Sequence, residues 1–283
     1  MGSEKNRFAA WMDEHPVAAG FAVVILYMLF RKGAYYIFLN AQGAAFTVMH
    51  ELVDVIWPFL MAAAFGKLVI YRKGRFFRTL LLGISLFLYG LLFGYCLNLI
   101  PLLKEPGIEW QTPVMIIWAV VTMFFVGFRE ESCYRGIVLH VFAKKYMKDR
   151  KGVLISVFAS SFFFAIMHIG NILVGQSFFV CVIQIINAFF FGGLFAAVYL
   201  RGGNLWAVMA LHGFIDLGLM SKNLLTKTFA SDAIAFIASN TDTSASTAQT
   251  VVYLVLWAAA FCLTLIMLRK KKCEEIIERF RPE

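Results

Sequence analysis

Long apolar runs separated by short polar links dominate the pattern of this chain. A helix crosses the hydrocarbon core of a bilayer with about 20 apolar residues. Runs that approach or exceed this length are 17–30, 45–71, 80–103, 113–143, 153–172, 178–200, 205–220 and 251–268. No strand-like alternation interrupts them. The pattern therefore predicts an all-α, polytopic membrane helix bundle with about eight transmembrane helices, built as a single domain over residues 1–283.

Composition supports a membrane class and excludes an ordinary soluble domain. The 283 residues are 61% hydrophobic and 15% charged, with a mean hydropathy of +0.76. A soluble domain is typically about 45–50% apolar and about 25% charged. The polar N-terminal stretch lacks the layout of a cleavable signal peptide, so we expect none.

The basic residues alternate between the links on the two sides of the predicted spans. Eighteen Lys and Arg residues fall in the two tails and in the links after the second, fourth and sixth runs, against five in the other links. The positive-inside rule then places both termini in the cytoplasm after eight crossings. The net charge of +9 is explained by this topology, so we expect a multi-pass protein of the plasma membrane and no nucleic-acid partner.

A group of ionisable residues lies inside the fourth apolar run, in the segment FREESCYRGIVLH at 128–140. Such residues are costly at membrane depth and usually mark function. Glu131 and Arg135 are four residues apart on a helix, so they share a face and can pair. Glu130 points about 100° away and is available for another task. The simpler alternative is a structural ion pair between two helices.

Two later apolar runs carry polar residues at comparable depth. His168 ends FFFAIMH, while His212 and Asp216 lie four residues apart in ALHGFIDLG. At about 1.5 Å per helical residue, Glu131, His168 and His212 lie about 20, 25 and 15 Å from the predicted cytoplasmic edge. Three helices can therefore bring a glutamate and two histidines to one buried site, although a lone histidine is more often a helix-contact residue.

This combination of groups has two chemical interpretations. Glu131, His168 and His212 could hold Zn²⁺ with an open position for water, as catalytic zinc sites do. Alternatively, a glutamate acts as general base on a water polarised by the histidines, and His212 with Asp216 stabilises an oxyanion. In both cases a water attacks a carbonyl carbon.

Two other candidates have weaker support. Cys133, one of five cysteines, could be a nucleophile, but no residue arrangement in the sequence activates it. His50, Glu51 and Asp54 resemble the start of an HExxH zinc motif, but the second histidine is missing. A capping or interfacial role is the favoured interpretation of these three residues.

Three motifs resemble one protein family. EESCYR at 130–135 matches EExxxR, FAIMH at 164–168 matches FxxxH, and HGFID at 212–216 matches HxxxN/D. Their order and spacing resemble the CPBP family (CAAX proteases and bacteriocin-processing enzymes, also called Abi), which includes the Rce1-type prenyl-protein endopeptidases. The resemblance covers about 126–218 and implies a catalytic core at about 113–220.

The resemblance implies an intramembrane endopeptidase, of metallo- or glutamate type, that hydrolyses a peptide bond of a membrane-associated protein or peptide. The catalytic residues that it implies are Glu130, Glu131, Arg135, His168, His212 and Asp216. Asp216 stands where asparagine is commonest in the prenyl-protein enzymes. Its negative charge suits orienting His212 or binding a metal better than donating to an oxyanion.

Two other functions are compatible with buried charges in a helix bundle. A proton-coupled transporter should show internal repeats and broken helices in matching halves, and the sequence shows neither. A non-catalytic membrane scaffold would be expected to have lost a motif glutamate or histidine, and all of them are present.

Overall fold

The computed structural model describes residues 7–38, 44–72, 74–227 and 247–280. The helices in these ranges are α1 (Arg7–Glu14), α2 (Pro16–Phe38), α3 (Ala44–Ala64), α4 (Phe76–Leu82), α5 (Ile84–Lys104), α6 (Pro113–Tyr146), α7 (Arg150–Leu173), α8 (Phe178–Gly202), α9 (Leu205–Leu219), α10 (Ser221–Leu225), α11 (Thr247–Met267) and α12 (Lys270–Phe280). Strand pairing in the described ranges is limited to one isolated bridge, Trp110 with Thr226. The predicted all-α polytopic helix bundle is confirmed.

Five helices of the described chain are long and apolar enough to cross a membrane: α5, α6, α7, α8 and the part of α11 from Thr250 to Met267. The α1–α2 pair, bent by 113° at its break, makes a sixth if it counts as one span. Helix α9 and the segment Val55–Ala64 of α3 are apolar but shorter. The predicted number of eight spans and the cytoplasmic termini stay predictions.

Helix α6 is the longest helix of the described residues, with 34 residues. Thr112 caps its start by accepting a hydrogen bond from the Met115 amide, and Pro113 occupies the first turn. At about 1.5 Å per residue the helix is about 50 Å long, which exceeds a hydrocarbon core of about 30 Å. Directly after Glu131, the stretch Ser132–Val138 is π-helical, a local widening that is frequent at functional sites.

Helices α6 and α9 cross with their backbones in contact. A Cβ atom on Gly127 would lie 2.5 Å from the Met209 carbonyl oxygen, and one on Gly213 would lie 2.7 Å from the Met123 carbonyl oxygen. Small residues permit this close approach of membrane helices. Glu131 lies one turn beyond Gly127, and His212 immediately precedes Gly213. The two glycines therefore determine how near these two polar side chains can come.

A buried carboxylate joins α1 to the end of α6. Asp13 is only 8% exposed, and its oxygens lie 2.6 Å from Lys67 Nζ and 2.5 Å from Lys144 Nζ. This pairing fixes the bent N-terminal segment against the bundle that carries the polar residues of α6.

The side chains of His50, Glu51 and Asp54 in α3 lie outside the described residues. Their predicted capping or interfacial role stays a prediction.

Candidate active site

A buried ion pair and a histidine form the centre of the site. Glu131 and Arg135 are fully buried, and Arg135 Nη1 lies 3.1 Å from Glu131 Oε1. The same carboxylate oxygen accepts a hydrogen bond from His212 Nδ1 at 2.7 Å. The pairing predicted from the spacing of Glu131 and Arg135 is confirmed. Helix α9 supplies the histidine to the same oxygen.

The other ring nitrogen of His212 faces two further carboxylates. Its Nε2 lies 3.6 Å from Glu130 Oε2 and 3.4 Å from Asp216 Oδ2. The imidazole also stacks on Phe195, with ring centroids 5.1 Å apart and planes 25° apart. Because the hydrogen bond to Glu131 fixes the orientation of the ring, Nε2 is directed at Glu130 and Asp216.

Exposure of the side chains increases from Glu131 toward Asp216. The Glu131 side chain is 0% exposed, the Glu130 and His212 side chains are 8% exposed, and the Asp216 side chain is 24% exposed. An incoming substrate would therefore meet Asp216, His212 and Glu130 before Glu131. Cys133 is fully buried, as expected of a core residue.

Arg135 is surrounded by aromatic and backbone groups of α7 and α8. Its guanidinium carbon lies 4.3 Å from the centroid of the Phe164 ring and 5.4 Å from that of Phe195. Its Nη2 donates to the Gly192 carbonyl at 3.3 Å. Ring faces and a paired carboxylate offset the cost of removing this charge from water. Arg135 therefore joins three helices at the position of Glu131.

His168 lies across a phenylalanine from His212. It begins the 3₁₀ stretch that ends α7, and its ring is 5.3 Å from Phe164 in an edge-on arrangement. The same Phe164 ring is 6.0 Å from His212, also edge-on. Both imidazoles thus contact one phenyl ring.

A metal site in a protein requires several His, Cys, Asp or Glu side chains placed close together. Across the described ranges, no group of three or more His, Cys, Asp and Glu side chains is placed to hold a metal ion. The zinc site expected from Glu131, His168 and His212 stays a prediction. The Phe164 ring contacts both imidazoles, while the close oxygen of Glu131 already bonds to His212 and Arg135.

Tyr27 of α2 is a site neighbour that the sequence did not reveal. Its hydroxyl donates to Glu130 Oε1 at 3.1 Å and accepts from Arg129 Nε at 2.8 Å. Tyr27 lies in the first apolar run, where one tyrosine among aliphatic residues gives no signal of function. Only the packing of α2 against α6 shows its position.

Comparison with known families supports the class indicated by the motifs. The family described as Type II CAAX prenyl endopeptidase Rce1-like matches residues 112–218, a segment that includes all six candidate residues. Residues 112–218 therefore match a domain of the CPBP/CAAX protease family within the membrane helix bundle. The match supports, in general terms, an integral membrane protein that acts as an intramembrane endopeptidase. Searches of curated proteins and of solved structures found no match.

Proposed function

We propose that this protein hydrolyses a peptide bond of a membrane-associated protein or peptide with a water activated by Glu130. The observation that carries the proposal is the arrangement around His212. One of its ring nitrogens is bonded to the fully buried Glu131, and the other faces the buried Glu130 and the more exposed Asp216.

The two adjacent glutamates then have different roles. Glu131 is inaccessible, hydrogen-bonded to His212 and ion-paired with Arg135, so it orients the imidazole, as a buried carboxylate does in other hydrolases. Glu130 Oε2 lies on the more exposed side, beside His212 Nε2. Glu130 is therefore the better placed general base, and Arg135 acts through Glu131.

The proposed reaction uses only groups of the protein and one water. Glu130 takes a proton from the water while the water oxygen attacks the scissile carbonyl carbon. His212 Nε2, when it carries a proton, donates to the oxyanion that forms, and Asp216 keeps the ring in place. Glu130 then returns the proton to the leaving amine as the C–N bond breaks, which releases a carboxylic acid and an amine; the acid then passes its proton to the amine.

We infer that His168 and Phe164 border the substrate rather than take part in the proton transfers. Phe164 contacts both imidazoles and Arg135, so it closes the site on the α7 side. A substitution of His168 should therefore alter substrate affinity more than turnover, unlike a substitution of His212.

The substrate class is tested with two peptides of one sequence that ends in a CAAX motif, one farnesylated and one not. The family match supports the farnesylated peptide, whereas the Asp at 216 favours a different class. Purified protein in liposomes of phosphatidylethanolamine and phosphatidylglycerol is incubated with each peptide, and the products are identified by mass spectrometry. Cleavage of the farnesylated peptide alone supports a prenyl-protein enzyme, and cleavage of both supports general peptide processing.

The same assay separates the two chemical interpretations. The glutamate mechanism predicts that activity survives incubation with EDTA or 1,10-phenanthroline. Loss of activity that added Zn²⁺ restores would support the zinc interpretation instead.

A further inference from the structure

Tyr27 occupies the position between Arg129 and Glu130. The Arg129 guanidinium lies over its ring, 5.4 Å from the centroid, while Arg129 Nε reaches the phenol oxygen at 2.8 Å. That oxygen is in turn 3.1 Å from Glu130 Oε1. The three side chains are all buried, so these contacts are sheltered from competing water.

The direction of the two hydrogen bonds follows from the groups themselves. A guanidinium can only donate, so the Tyr27 oxygen must accept from Arg129. The phenol has one hydrogen, and an ionised carboxylate can only accept. The Tyr27 hydrogen is therefore directed at Glu130 Oε1. Arg129 fixes the rotation of the hydroxyl group, and the hydroxyl group fixes one oxygen of the carboxylate.

The hydrogen bond from Tyr27 also determines where the other carboxylate oxygen of Glu130, Oε2, lies. With Oε1 bonded to Tyr27, Oε2 is the oxygen that lies beside His212 Nε2, at 3.6 Å. The Tyr27 ring itself has little freedom, because it is 1% exposed and packs against Trp57 and Tyr134 with ring centroids 5.8 and 6.1 Å away.

We propose that Tyr27 is a positioning residue that holds the Glu130 carboxylate in the orientation needed to activate water. Helix α2 lies outside the segment 112–218 that matches the protease family, so this places part of the active-site support in the N-terminal region of the chain. The inference rests on the proposed role of Glu130 as general base. Tyr27 itself is not expected to contact the substrate.

The test compares Tyr27→Phe with Tyr134→Phe. Both remove one buried phenol oxygen and keep the ring. The Tyr134 hydroxyl makes no hydrogen bond within the described residues, so its removal should leave turnover unchanged. A carboxylate displaced by about 1 Å can lose about 100-fold in rate. With the peptide that the wild type cleaves, Tyr27→Phe should lower kcat about 10- to 100-fold and change KM less than about twofold.

Three outcomes would overturn the inference: an unchanged kcat in folded Tyr27→Phe, a change confined to KM, or an equal loss of kcat in Tyr134→Phe. Should Tyr27→Phe fail to fold, Arg129→Lys is measured instead, because it keeps a positive charge near Glu130 Oε1, which lies 3.7 Å from Arg129 Nη2, but removes the Nε donor that orients the Tyr27 hydroxyl. The Glu130→Gln variant distinguishes a failure of the proposed function from a failure of the proposed role of Tyr27. If Glu130→Gln stays active, the proposed function fails. If it is inactive while Tyr27→Phe turns over normally, only the role of Tyr27 fails.

A thermal unfolding cycle provides a measurement that needs no substrate. Tyr27→Phe should lower the Tm of the detergent-solubilised wild type, and should lower it much less in a Glu130→Ala background, because the partner of the hydroxyl is then absent. Equal Tm shifts in the two backgrounds would mean that the hydrogen bond contributes nothing and would contradict the inference.

Discussion

Replacement of Arg135 tests how the site is held together. In Arg135→Ala, Glu131 loses a buried cationic partner at 3.1 Å, and the loss of one member of a buried pair costs about 3–5 kcal/mol. His212 remains bonded to the same carboxylate oxygen at 2.7 Å and compensates in part. We therefore expect a cost near the lower end, about 3 kcal/mol, together with reduced yield of folded protein and reduced activity.

The Arg135→Lys variant separates charge from geometry. Lysine restores the positive charge but presents a point charge instead of a planar fork. It loses the hydrogen bond to the Gly192 carbonyl, worth about 1 kcal/mol, and much of the contact with the Phe164 ring, worth about 0.5–2 kcal/mol. We expect a destabilisation of about 1–3 kcal/mol, a folded protein, and slower turnover with a nearly unchanged KM.

Thermal unfolding in detergent and steady-state kinetics measure both effects. Arg78→Ala serves as the control, because Arg78 is exposed on α4 and makes no recorded contact with the site residues. The control should keep both stability and activity. If Arg135→Lys instead raises KM and leaves kcat intact, Arg135 contacts the substrate, and the positioning role argued above is wrong.

Further predictions concern the helix crossing, the nucleophile and the topology. Gly213→Ala should abolish activity, because its Cβ would lie 2.7 Å from a carbonyl oxygen of α6. Gly193→Ala should keep activity, because the nearest atom to its Cβ is 3.5 Å away. Equal activities of the two variants would contradict the close contact between α6 and α9. Cys133→Ser should stay active and Glu131→Gln should not; an inactive, folded Cys133→Ser would reverse the assignment. A Thr241→Cys label should react only from outside the cell, and reaction only from the cytoplasmic side would refute the predicted topology.

The sequence was informative where a polar residue contrasts with an apolar run. Glu131 and Arg135 stand four residues apart in such a run, and their pair is present in the structure. His212 could be placed near Glu131 because both lie at similar predicted depth. Composition alone was enough for the fold class, since a chain this apolar has few alternatives to a membrane helix bundle.

Other features depend on packing that no local pattern encodes. The convergence of Glu131 with His212 depends on Gly127 and Gly213 meeting at a crossing, and the partner of a glycine cannot be read from its neighbours in sequence. Tyr27 and Arg129 are 102 residues apart in the sequence, and the packing of the helices brings them into contact. The predicted depth in the membrane placed His168 at the level of Glu131 and His212. Depth does not specify which residue stands between the two histidines. In the structure the Phe164 ring contacts both of them.

Peptide hydrolysis by a Glu130 variant is the most direct test of the proposal that Glu130 activates the attacking water. Wild-type protein and Glu130→Gln are reconstituted in the same liposomes and incubated with the farnesylated and unfarnesylated peptides, and new peptide termini are quantified by mass spectrometry. Tyr134→Phe serves as the matched control for a buried polar substitution beside the site. We expect cleavage by the wild type and by Tyr134→Phe, and a loss of at least about 100-fold in Glu130→Gln, within the range for removing a general base. Cleavage by folded Glu130→Gln at the wild-type rate would contradict the proposal.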